Sequence, residues 1–337
     1  MKEFRDKGQR LFIFLVLFAA LLLPACRGTV APGPVHKYKV TFGFAKTLNY
    51  LPIIALEQGY FSSEGLDVTV VEYATGKRVL QDGVLGAQVD LGIVGIGPFV
   101  MASFDHKELR ILGSTSTHFD LYRIVARKDA GILKAADLRG KRVATSKGSS
   151  FHFFLHNFLI ENGLADQDIK LVFRASAELP GALADGEIDA FSSREPFIGE
   201  AEKLLGDDIV VLADPALPAN TLNLVALDGF VQDQPEVVER MIGALIRAED
   251  FAARYPDQAM RIVSAYLGVE ASQLTEAWSK TVLKISLDQE LVLELENIAR
   301  WAIRDGITDS EEIPNYLDYI DVRGMAAVAP DRITVFR

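Results

Sequence analysis

Gly148, Ser149 and Ser150, inside SKGSSFHFFL, place a glycine and two hydroxyl residues where a β-branched run gives way to a helical one. Backbone N–H groups and hydroxyls at such a junction converge on one point, which suits an oxyanion. The same serines serve equally well as an N-cap. Arg194, in the loop SSREP, carries a planar fork that meets an anion bidentately, and Glu195 beside it is either a further cleft residue or its ion-pair partner. His152 and His156 lie four apart on one helical face, yet residue 153 is Phe and no third ligand is evident. Neither a metal nor a cofactor is expected.

The elements around these residues alternate. YKVTFGF, LDVTVVEY and VDLGIVG read as strands, separated by helices over LPIIALEQGYF and from Thr75 to about Leu85. The order returns with KRVATS, DIKLVFRA and IDAFSS as strands, and helices over Phe151 to Asn162 and Ala177 to Ala184. AQVDLG and GEIDAF stand 99 positions apart, each joining a helix to a strand that runs on to a proline, Pro98 or Pro196. Two parallel sheets with right-handed crossovers follow, hence two doubly wound α/β lobes with a ligand cleft between their strand ends.

On the first lobe Thr47, Asn49, Tyr50, Gly95 and Gly97 face that cleft, with Ser114 and Thr115 beyond the fourth strand. Capping or turning the chain is the more frequent role of Ser, Thr, Asn and Gly. Past Asp228 the pattern is helical, with Val238, Met241, Ile242, Leu245, Ala248 and Ala252 on one face, so a helical C-terminal region packs on the lobes. Trp278 and Trp301 read as core. The expected division is lobe 1 over 38–121 and 225–337, and lobe 2 over 122–224.

The only cysteine, Cys26, follows Lys2, Arg5, Lys7, Arg10 and thirteen apolar residues from Leu11 to Leu23. As a helix that run rises about 20 Å, short of the roughly 30 Å of bilayer hydrocarbon, so it reads as an export signal over 1–25. Leu23-Pro24-Ala25-Cys26 is similar to the bacterial lipoprotein signal, in which the thiol receives a lipid and 26–37 becomes a tether. A spare thiol in a discarded peptide, or an ordinary signal cut elsewhere, are the other readings. Losing residues 1–25 removes four basic and two acidic side chains, taking the net charge from −11 to −13. So acidic a chain is a poor partner for nucleic acid.

Taken together, ALEQGYFSSEGLDVTVVEYATG, VDLGIVGIGP, AADLRGKRVATSKGSS, GEIDAF and REP resemble the type II periplasmic binding proteins of the nitrate, sulfonate, taurine and thiamine-precursor group. The resemblance implies a monomeric extracytoplasmic receptor on the periplasmic side of a bacterial membrane. Such a receptor closes on a small anion or zwitterion and delivers it to the permease and ATPase of an ABC importer. The pattern GSSxH resembles the sulfonate branch and brings in His152, whereas the sulfonate binders tend to have an aromatic residue where this chain has Arg194. A neutral heterocycle, a sensor, or an enzyme on the same fold are the alternatives. Against an enzyme stand the export signal and the lack of an evident nucleophile and base.

Overall fold

The structure is a computed structural model that describes residues 38–47, 49–214 and 220–336. The expected signal, Cys26 and the tether lie outside the described residues. No helix among the described residues is long and apolar enough to cross a membrane.

In the first lobe β1 (Tyr38–Ala45) enters the core with Phe42 and Phe44 fully buried, and α1 (Tyr50–Glu57) follows, buried from Tyr50 to Ala55. β2 (Leu66–Tyr73), β3 (Leu91–Gly95), α2 (Ile96–Ser103) and β4 (Leu109–His118) complete the first pass. The chain then crosses into β5 (Arg123–Arg127), β6 (Arg142–Thr145), α3 (Ser150–Glu161), β7 (Lys170–Phe173), α4 (Leu179–Ala184), β8 (Ala190–Ser193), α5 (Phe197–Leu205) and β9 (Ile209–Leu212). It returns as β10 (Asn220–Leu227) and ends with α6 (Pro235–Arg254), α7 (Pro256–Leu267), α8 (Ala271–Ser279), β11 (Thr281–Ser286), α9 (Gln289–Arg304) and short turns.

Two sheets result, ordered β11-β4-β10-β3-β1-β2 and β7-β6-β8-β5-β9. Each contains three parallel strands, β2-β1-β3 and β7-β6-β8, as the alternating pattern requires. Each then adds an antiparallel strand, β10 beside β3 and β5 beside β8, which the βαβ reading did not contain. These two are the strands next to the crossings between lobes, and the hydrogen bonds that hold them are long-range. Residues 220–224, expected in the second lobe, pair with β3 and β4 of the first, so the return is complete by Asn220.

The repeat 99 residues apart has a structural cause. Asp90 accepts hydrogen bonds from the backbone N–H and hydroxyl of Thr41, both at 2.7 Å, and its own N–H donates to Thr41 O. Asp189 accepts from the N–H of Arg142 at 2.8 Å, and its N–H donates to Arg142 O. Each carboxylate, one residue ahead of its own strand, thus pins the start of that strand to a parallel neighbour.

The C-terminal helices cover the first lobe. The expected apolar face of α6 is buried, together with Val237 and Ala244. Trp301 of α9 is buried against α3, and Trp278 is partly buried against the core, stacked on Tyr50 with ring centres 5.1 Å apart. Pro98 is the third residue of α2 and Pro196 directly precedes α5.

Candidate ligand-binding cleft

Strand ends and helix starts of both lobes surround a chamber of about 60 Å³. The first lobe contributes Thr47, Asn49, Thr75, Gly76, Lys77, Gly95, Asn220 and Leu222; the second contributes Tyr122, Ser146, Ser149, Ser150, Phe151, Ser176 and Arg194. At 10–15 Å³ for each water-sized group, the space takes roughly four to six non-hydrogen atoms.

Arg194 is carried by the end of β8, only 8% exposed. Its Nη1 donates to Thr47 Oγ1 across the cleft at 2.9 Å and to Glu195 O at 3.2 Å, and its guanidinium lies 5.9 Å from the centre of the Phe151 ring. Among the described residues it forms no ion pair with a carboxylate. Burial lowers its pKa, a drop that Tyr122, Tyr50 and Glu195 only partly offset. A buried cation left in that condition is costly, and an anion beside it removes much of the cost.

Ser149 is the N-cap of α3: its hydroxyl donates to Ser146 O at 2.6 Å and accepts from His152 N. Its oxygen is therefore committed to the backbone. Ser150 begins the helix with its hydroxyl facing Gly95, and the positive end of a twelve-residue helix points into the chamber. Lys77 reaches across to donate to Lys147 O at 2.8 Å.

Acceptors are present too. Asn49 uses its amide nitrogen on Ala45 O and Thr47 O, both at 2.7 Å, which orients Oδ1 away from them; that oxygen and Asn220 Oδ1 are buried without partners. Buried polar atoms of this kind normally find a partner, so both await one.

Several expected residues are placed elsewhere. Ser114 donates to Asn223 Oδ1 and Thr115 to Leu222 O, so these hydroxyls bond within the sheet next to β10. Tyr50 is buried against Trp278 and His118. Gly148, at φ +65°, packs on Met101 and lines an outer groove rather than the chamber. His152 is buried between Phe173 and Trp301, with Nδ1 turned to the Gly148 N–H. Glu195 extends back to cap Gly199 N. Gly97 touches the second lobe directly, for a Cβ there would come within 2.8 Å of Ser150 N.

His156 does not pair with His152. It meets Asp166 at 2.8 Å and Asp305 at 3.2 Å, the three ligand atoms lying within 4.8 Å of one another. Arg304 stands against His156 Nε2 and Asp305, so a cation already faces the cluster. It joins α3 of the second lobe to the end of α9.

The NMT1/THI5-like family model matches residues 49–259. The chain belongs to that family. Within it, a candidate binding protein of Brucella abortus (strain 2308) is 28% identical over 229 residues, covering 66% of this chain and 70% of its own length. A candidate aliphatic sulfonates-binding protein of Bacillus subtilis (strain 168) is 26% identical over 257 residues, 74% of this chain and 76% of its own. Among solved structures, the alkanesulfonate-binding protein SsuA from Xanthomonas axonopodis pv. citri, bound to MOPS, matches with TM-score 0.71 at 19% identity, over 84% of this chain and 98% of its own. The desulfurization enzyme DSZB matches with TM-score 0.65 at 18% identity, over 88% of this chain and 100% of its own. The NMT1/THI5-like chain therefore has the periplasmic-binding-protein fold, which receptors and at least one enzyme share.

Sequence reasoning missed Asn220, Lys77 and Glu294. Glu294 carried a signal: it lies three residues after Leu291 and four before Ile298, on the buried face of α9. An acid on an apolar stripe needs a reason. Its Oε2 accepts from Thr221 Oγ1 at 2.9 Å, and burial, with help from Glu290, pushes its carboxyl up to about 7.

Three such groups contribute to the acid response. Burial pushes His118 down to about 3 and His152 down to about 4, from an ordinary 6.5. The unfolded chain then binds protons that the fold refuses, so each histidine removes about 1.4 kcal/mol per pH unit as pH falls below 6.5. Glu294 has the opposite sign: its raised pKa adds stability as pH falls through about 7 towards 4.5. The net expectation is a loss of about 1.4 kcal/mol per unit between pH 6.5 and 4.5, steeper just below. Urea unfolding of His118→Gln across that range should show a shallower slope; an unchanged slope would mean that His118 charges freely in the fold.

Proposed function

We propose that this chain is an extracytoplasmic receptor that closes two lobes on a small anionic or zwitterionic solute of sulfonate, taurine or nitrate type and delivers it to an ABC importer. The observation that carries this reading is Arg194, a buried cation without a carboxylate partner, facing a chamber shared by both lobes. The N-terminus of α3 and Lys77 add positive potential to the same space. The described lining residues include no histidine, cysteine or carboxylate, which favours binding over catalysis. The names of the sulfonate-binding relatives support the same class of ligand.

Melting of the purified soluble chain across a panel of small anions tests this. An anion at 100 times its Kd should stabilise by about 2.7 kcal/mol, and no shift with any member would refute the reading.

The receptor acts, in this proposal, as a monomer held to the membrane through a lipid on Cys26. Cys26→Ser should move the protein from the membrane fraction to the soluble one, since no helix among the described residues is long and apolar enough to replace the lipid. Salt-resistant membrane association of the serine variant would overturn the anchor but not the receptor.

A further inference from the structure

Behind the Arg194 chamber is a second one of about 20 Å³ that shares Tyr122, Ser150 and Asn220 with it and ends at Glu294. Glu294 has no cationic partner among the described residues; its hydrogen bond comes from the neutral Thr221 hydroxyl. Asn220, whose Oδ1 is buried and without a partner, lines this chamber as well as the first. Tyr122 lines both chambers, the one that holds Arg194 and the one that ends at Glu294. Arg194 and Glu294 do not bond to each other: one donates to Thr47 Oγ1 and the other accepts from Thr221 Oγ1.

We propose that the Glu294 chamber is a subsite for the cationic amine of a zwitterionic ligand whose anionic group lies at Arg194. The inference rests on the anion reading above and narrows the ligand to an amine-bearing sulfonate or similar short zwitterion. An ammonium group brings three donors, and the chamber supplies the Glu294 carboxylate, Asn220 Oδ1 and the Tyr122 oxygen as acceptors. A simple anion satisfies only the Arg194 end and leaves Glu294 to take up a proton instead.

Calorimetric titration with 2-aminoethanesulfonate and propane-1-sulfonate, which replaces the ammonium by a methyl group, tests the subsite at about pH 8, where Glu294 is ionised. The wild type should prefer the aminosulfonate by about 10-fold or more, the worth of one charge-assisted bond. Glu294→Gln should reduce that preference to about 2-fold, with propane-1-sulfonate bound at least as tightly as before. Glu294→Asp, which keeps the charge, should fall between. Equal binding of both sulfonates by the wild type, or a preference that survives in Glu294→Gln, would overturn the subsite. If both bind equally and Arg194→Ala weakens both, the anion reading stands and only the amine subsite fails. Binding of neither sulfonate overturns the amine subsite, and the anion reading then stands or falls with the anion panel.

Discussion

Arg194→Ala is expected to weaken binding of a small anion by about 10- to 150-fold. That range corresponds to one charge-assisted hydrogen bond, about 1.5 to 3 kcal/mol. Arg194→Lys should recover only part, because a single ammonium cannot reproduce the fork that reaches Thr47 Oγ1 and the ligand together. Without ligand the sign reverses. Arg194→Met removes a buried cation while filling a similar volume, so the empty protein should melt higher by the equivalent of about 1 kcal/mol or more. A variant that is more stable when empty yet indifferent to anions distinguishes a binding residue from a structural one. If Arg194→Met lowers the melting temperature and leaves affinity intact, Arg194 is a structural residue.

Gly97→Ala is expected to weaken ligand binding by about 10-fold or more while leaving the lobes folded. Gly97 lies in α2 of the first lobe, and a methyl group there would meet Ser150 N and Ser150 Oγ, each at 2.8 Å, at the start of α3 in the second. One of those partners is backbone, so neither side can turn aside and the lobes must part. Within its own helix the alanine is tolerated, so the effect should come from the contact between the lobes. Small-angle scattering should find a larger radius of gyration for the variant than for the wild type at saturating ligand. Unchanged affinity and scattering would show that the contact is not needed for closure.

The parallel strands and the buried face of α6 were legible because apolar periodicity records local burial directly. The antiparallel strands β5 and β10 were not, since nothing local in RIVAR or NTLNLVAL names a partner far away in the chain. The cleft was legible as a set of loops at strand ends, and Thr47, Asn49, Gly95, Ser149, Ser150 and Arg194 do converge there. Ser114 and His152 did not, for a reason specific to each: one hydroxyl is used inside the sheet and one imidazole is consumed by the packing of Phe173 and Trp301. Glu294 shows the reverse case. Its place on an apolar face could be read from spacing, but the Tyr122 and Asn220 that make the position significant come from two other segments.

In the proposed receptor, Arg194 and the start of α3 hold a negative charge in the cleft. Calorimetric titration of the purified chain with methanesulfonate and with dimethyl sulfone, its neutral counterpart of nearly the same shape, tests it most directly. Methanesulfonate should bind and the sulfone should bind about 100-fold more weakly or not at all, because the charge-assisted bond and the helix dipole act only on the anion. Sulfone binding as tight as that of the sulfonate would contradict the account and make a neutral heterocycle the better ligand for this cleft.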